Sequence, residues 1–173
     1  MELKIYGDPV LKERAEPISD INSEIEGIVK EMFRVMYGAK GIGLAAPQVG
    51  ISKRIITVDL GNSPIALINP IILERDKEKE RMEEGCLSLP GIEVDVERPY
   101  RVFVKGLTLE EKEMEVEAKG LLARVFQHEI DHLDGILIID KVSFVKRQFL
   151  INKLKRLLRE KREYETPPMG PPL

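Results

Sequence analysis

The chain holds one cysteine, Cys86, and two histidines, His128 and His132. A lone cysteine excludes an internal disulfide and fits a reducing compartment. No apolar run reaches the ~18 residues that a bilayer span needs. The opening residues, Met1-Glu2-Leu3-Lys4-Ile5, lack the basic start and apolar stretch of a signal peptide. A cytoplasmic protein with no membrane partner is therefore expected. The glycine-rich run Gly41–Gly50 lacks the Gly-Lys-Ser/Thr ending of a phosphate loop, which excludes that class of nucleotide site.

What is present reads as globular. With 173 residues and 43% hydrophobic content, the chain is long enough for one proper core. A single domain is expected over residues 1–165, followed by a Pro-rich flexible tail over 166–173 that cannot be helical. The net charge of −3 is unevenly spread. Residues 141–162 carry nine Lys or Arg against Glu160 alone, a net +8, which leaves −11 for the rest.

Asp8-Pro9 predicts a short helix that Pro17 limits. Ser23 is expected to cap a longer one, with Ile25, Ile28, Val29, Met32, Phe33 and Met36 at helical spacing and Gly38 at its end. Strands are expected at Arg54–Asp59, Ile65–Ile68, Ile71–Leu73, Ile92–Val96, Tyr100–Leu107 and Met114–Ala118. Residues 74–84 are charged and read as solvent-facing. Gly120–Asp134 reads as a mostly buried helix. On it Leu121, Val125, His128 and His132 share one arc, and Arg124, Gln127, Asp131 and Asp134 lie opposite. Ser143 or Asp140 is expected to cap a last helix with the stripe Ile151, Leu154, Leu157 and Leu158. The fold class is α+β: short, mostly antiparallel strands packed around a central metal-binding helix, with a C-terminal helix.

The chemistry concentrates in Gln127-His128-Glu129-Ile130-Asp131-His132. Histidines at i and i+4 on one helix face can hold a single metal ion. The adjacent Glu129 can then handle a proton on metal-bound water. A catalytic site needs a third protein ligand and one open position. The glutamates downstream of His132 are Glu160, Glu163 and Glu165, crowded near a polar tail. Cys86 lies in a non-helical stretch between Gly85 and Leu87-Ser88 and uses the remaining soft ligand. Three readings stand: a hydrolase with Cys86, His128, His132 and one water; an H-E-x-x-H zinc endopeptidase; and a non-catalytic, metal-stabilised RNA-binding module.

Three motifs, in order, carry a resemblance: Gly41-Ile-Gly-Leu-Ala-Ala-Pro-Gln48, Glu84-Gly-Cys-Leu-Ser88 and Gln127-His-Glu-Ile-Asp-His132. The chain resembles the bacterial type of peptide deformylase over nearly all of residues 1–162. The resemblance implies removal of the formyl group from N-formylmethionine at the start of nascent chains. It implies attack by a hydroxide formed at the metal, with Glu129 as general acid and base. It assigns the oxyanion donors to the Gln48 side chain and the Leu87 backbone N–H. The backbone of Ile42 and Gly43 would lie along the substrate, with Gly85 beside it, and a pocket near Leu44, Arg124 and Val125 would take the methionine side chain. The implied metal is Fe2+, one per chain, with Zn2+, Ni2+ or Co2+ able to substitute. The implied partners are N-formylmethionyl nascent peptides and the ribosome, through basic residues 146–162; no DNA partner is expected.

Overall fold

The structure is a computed structural model and describes residues 1–165; the tail expected over 166–173 lies outside the described residues. Asp8 accepts a hydrogen bond from the Val10 N–H and caps a single 3₁₀ turn, Pro9–Lys12. Helix α1 spans Ser23–Gly38. Its cap is Asn22, not the expected Ser23: the Asn22 carbonyl accepts from the N–H groups of Glu24 and Ile25. Both residue types suit that position, and the chain enters the helix one residue earlier.

Strands β1 (Gly43–Ala45), β2 (Ile55–Val58), β3 (Ile65–Arg75), β6 (Arg101–Leu107) and β7 (Glu113–Lys119) form one antiparallel sheet in the order β1-β2-β3-β6-β7. The two strands expected around Pro70 are one irregular strand. Asn69 takes a left-handed conformation (φ 52) at a register shift, and its side chain bonds both the N–H and C=O of Ile18. The bulge absorbs Pro70 without ending β3.

The charged run 74–84 is exposed except at Asp76, Met82 and Glu84, and much of it is strand. Lys79–Gly85 is strand β4, paired along its length with β5, Glu93–Pro99, as a separate two-stranded sheet. Its alternation is hard to see in the sequence because the inward positions are filled by Met82 and by a carboxylate, Glu84.

Helix α2 is Gly120–Leu133, and α3 is Phe144–Glu165. Ser143 caps α3 through its hydroxyl, which accepts from the Lys146 N–H; Asp140 instead caps the 3₁₀ turn Ile138–Lys141 by accepting from the Leu137 N–H. Phe126, Ile130 and Leu133 of α2 share a core with Ile56, Val58 and Val102 of the sheet. Met32 and Met36 of α1 share a second with Leu44, Ile55 and Ile68. A third joins Val94 and Val96 of the hairpin to Ile138, Ile151 and Leu154. The expected helix faces need one correction. Arg124 and Gln127 are buried, each 4% exposed, and Leu121 is 46% exposed. The β4–β5 hairpin covers the side of α2 that the sequence pattern assigns to solvent. Arg124 and Gln127 tolerate burial because they donate to backbone carbonyls there.

Candidate metal centre and active site

Helix α2 brings His128 and His132 one turn apart, with their Nε2 atoms 3.2 Å from each other. Cys86 follows the end of β4 directly, and its Sγ lies 3.4 Å from His132 Nε2. One ligand atom from each of these three residues lies within 4.8 Å of the others. Glu160, Glu163 and Glu165 are exposed along the last turns of α3 and do not join this group.

The orientation of His128 is fixed from behind. Its Nδ1 is 2.9 Å from Glu84 Oε1. Glu84 also accepts from Arg98 Nε and Arg124, at 2.7 and 2.6 Å. Burial opposes charge on Glu84, but bonds from His128 and Arg98 outweigh it and hold its pKa down to about 2. An ionised carboxylate only accepts, so Nδ1 carries a hydrogen, and Nε2 faces Cys86 and His132, where as a metal ligand it would give its lone pair to the ion. For His128 itself, burial disfavours charge, yet bonds to Cys86 and Glu84 hold its pKa well above the ordinary value. Burial, and then the neighbouring His128, hold that of His132 well below it.

One cysteine sulfur and two imidazole nitrogens brought together suit a borderline-soft divalent ion. The pattern of bonds fits too: His128 has its second nitrogen engaged as a ligating histidine normally does. His132 Nδ1 and Glu129 Oε2 are buried and have no hydrogen-bond partner among the described residues. Glu129 adjoins His128 and is 4% exposed. Burial above all pushes its carboxyl pKa up to about 7, against the pull of the His128 charge.

The site opens on a cleft of about 790 Å³ lined by both glycine-containing motifs and by α2. Ile42, Gly43, Gln48, Gly85, Cys86, Leu87, Arg124, Val125, His128 and Glu129 all line it. Leu44 does not. Strand alternation turns Gly43 toward Val125 and Glu129, while Leu44 is fully buried in the core shared with α1.

Gln48 lies on the 3₁₀ turn Ala46–Val49. Its Oε1 accepts from the Ala45 N–H at 2.9 Å. That bond fixes the amide so that Nε2 points to Cys86 Sγ (3.6 Å) and Ser88 Oγ (3.3 Å). Glu84, Ser88 and Arg98 are the residues that reading the sequence left without a role. Glu84 and Ser88 flank Cys86 inside a motif and could have been suspected. Arg98, which bridges Glu84 and Asp131, carries no local signal.

The chain is similar to known proteins in sequence and in fold. The sequence model of the family described as polypeptide deformylase matches residues 1–148. The chain is 54% identical over 161 residues to a peptide deformylase of Thermodesulfovibrio yellowstonii, covering 90% of this chain and 96% of that one. It is similar to the crystal structure of peptide deformylase from Thermotoga maritima, with a TM-score of 0.80 at 49% identity, covering 82% of this chain and 97% of that one. It is also similar to a peptide deformylase from Synechococcus elongatus in complex with actinonin, with a TM-score of 0.84 at 42% identity, covering 89% and 85%.

Proposed function

Because the chain belongs to the polypeptide deformylase family, we propose a division of labour among the residues of its cleft. The reaction is hydrolysis: the enzyme removes the N-formyl group from N-formylmethionine at the start of nascent polypeptides and releases formate. Cys86, His128 and His132 would hold one metal ion per chain, Fe2+ by preference, with Zn2+, Ni2+ or Co2+ able to replace it. An ion held there would supply Lewis-acid polarisation and acidify water near neutral pH.

Glu129 takes the proton of the attacking water and returns it to the departing amine. A carboxyl with a pKa of about 7 is poised to do both. The Gln48 amide and the Leu87 N–H donate to the oxygen that gains charge in the transition state. The backbone of Ile42, Gly43 and Gly85 aligns the peptide, and Val125 with Arg124 flanks the methionine side chain. The single observation that carries this reading is the convergence of Sγ and two Nε2 atoms beside Glu129, whose buried Oε2 has no partner among the described residues.

Residues 1–165 act as one catalytic unit in this reading, working in the cytoplasm; among the described residues no helix is long and apolar enough to cross a membrane. The basic residues of 146–162 contact the ribosome, whose RNA phosphates attract such a stripe. The exposure of Lys155, Arg156 and Arg159 supports this.

Formate release from formyl-Met-Ala-Ser, with and without a chelator, tests the proposal. Chelator-sensitive formate release with the peptide bonds left intact supports it. Internal cleavage would point to an endopeptidase, and no turnover to a non-catalytic metal protein.

A further inference from the structure

The metal ligands come from two pieces of structure that share no backbone ladder. Strands β4 and β5 pair only with each other. Cys86 hangs from the end of β4, while His128 and His132 stand on α2. The distance between sulfur and imidazoles therefore depends on how the hairpin docks on the helix.

Arg124 sits at that junction, one helical turn before His128, and is 4% exposed. Its Nη1 donates to Val96 O at 2.8 Å and to Glu84 Oε2 at 2.6 Å. Its Nη2 donates to Glu80 O at 2.6 Å. One guanidinium thus grips both strands of the hairpin and also the carboxylate that orients His128. Glu84 does not depend on Arg124 for charge balance, since Arg98 binds it through two nitrogens at 2.7 and 3.0 Å. What Arg124 adds is the tie to two backbone carbonyls on different strands. A planar fork with donors in fixed directions suits this, and the point charge of a lysine does not.

We infer that Arg124 is a positioning residue for the metal centre: it sets the docking of the β4–β5 hairpin on α2, and so the placement of Cys86 against His128 and His132. The inference rests on the reading of those three residues as ligands. It gives Arg124 a task beyond flanking the methionine side chain. The two tasks separate in measurement, because a wall residue governs substrate affinity and a docking residue governs the metal.

The test uses Arg124→Met and Arg124→Lys in the full chain, with Co2+ as probe. Wild type and Cys86→Ser are measured alongside. Arg124→Met should weaken Co2+ binding by about tenfold or more, as loss of an outer-shell partner does. It should alter the visible absorption of bound Co2+, and at saturating Co2+ lower kcat more than it raises KM for formyl-Met-Ala-Ser. Arg124→Lys should recover part of the affinity. If the methionine variant does not fold, the lysine variant carries the same comparison, with weakened Co2+ binding expected there too. Co2+ affinity and spectrum equal to wild type in the folded variant would overturn the inference, whatever happens to KM. Absence of a thiolate–Co2+ absorption band in wild type, or its survival in Cys86→Ser, would instead mark failure of the ligand reading beneath it.

Discussion

A Cβ built on Gly43 would stand 2.6 Å from Glu129 Oε1 and 2.7 Å from Val125 Cγ1. Gly43 does not have a positive φ, so space and not backbone conformation requires the glycine. Only the absence of a side chain lets β1 and the catalytic carboxylate share one wall of the cleft. Gly43→Ala should therefore displace Glu129 and cost roughly 10²-fold in kcat/KM, the scale of a 1 Å misplacement. Metal content should stay at the wild-type level, since the atoms nearest the new methyl group belong to Glu129 and Val125 and not to a ligand. Metal analysis and a formate assay on one sample check both halves. Near-normal turnover would show that Glu129 tolerates the shift.

Gln48 offers a second handle. Its Oε1 is committed to the Ala45 N–H, which leaves its NH2 group as the donor to the reacting oxygen. Gln48→Ala should lower kcat by roughly 10²–10³-fold, as loss of one oxyanion donor does. Gln48→Glu should be at least as damaging. Its carboxylate keeps the bond to Ala45 but presents charge, and no donor, to the developing oxyanion. Steady-state kinetics on both variants decides the matter; a Gln48→Glu enzyme as fast as wild type would remove Gln48 from this role.

Much of the site was legible because its donors are rare and locally patterned. His128 and His132 repeat at helical spacing, and Cys86 was the only soft ligand left. The supporting layer was not legible for a physical reason: its bonds run between elements distant in sequence. Arg98 meets Asp131 across 33 residues, and no spacing rule announces that pair. The fold shows the same division. Helix α2 and the strand pairs around β6 follow from apolar period. The β4–β5 hairpin hides behind inward positions occupied by Met82 and Glu84, and β3 looked like two strands because Asn69 absorbs Pro70 in a bulge.

Asp140 gives a prediction about acid stability away from the metal. It pairs with Lys12 at 2.8 Å and Arg147 at 3.2 Å and accepts from the Leu137 N–H, tying the N-terminal turn to the start of α3. Burial alone would raise its pKa, but the Lys12 and Leu137 bonds outweigh it and hold the value below the ordinary 3.8. A depressed folded pKa stabilises the fold above the unfolded value, and the benefit is lost as pH falls through the folded one. Asp140→Asn keeps an acceptor for Leu137 and loses the ion pairs. It should cost about 1 kcal/mol at pH 7. Urea denaturation across a pH series should show that gap constant above the ordinary value of 3.8 and closing below it. A gap that widens in acid would contradict the assignment.

The basic face of α3 separates docking from folding. Ile151 and Leu154 of that helix are buried, and Lys155, Arg156 and Arg159 are exposed. Reversing Lys153, Lys155, Arg156 and Arg159 to Glu should leave turnover of a free formyl-peptide within about threefold and sharply reduce co-sedimentation with ribosomes at low salt. Unchanged co-sedimentation would assign the helix a structural role alone.

The most direct test is Glu129→Gln, with metal content and formate release measured on the same preparation. Glutamine matches the carboxylate in shape and cannot carry the proton, while Cys86, His128 and His132 are untouched. One metal per chain together with loss of nearly all formate release from formyl-Met-Ala-Ser is the predicted result. Near-normal deformylation, or loss of the metal along with the activity, would contradict the account of Glu129 as proton carrier beside a three-ligand centre.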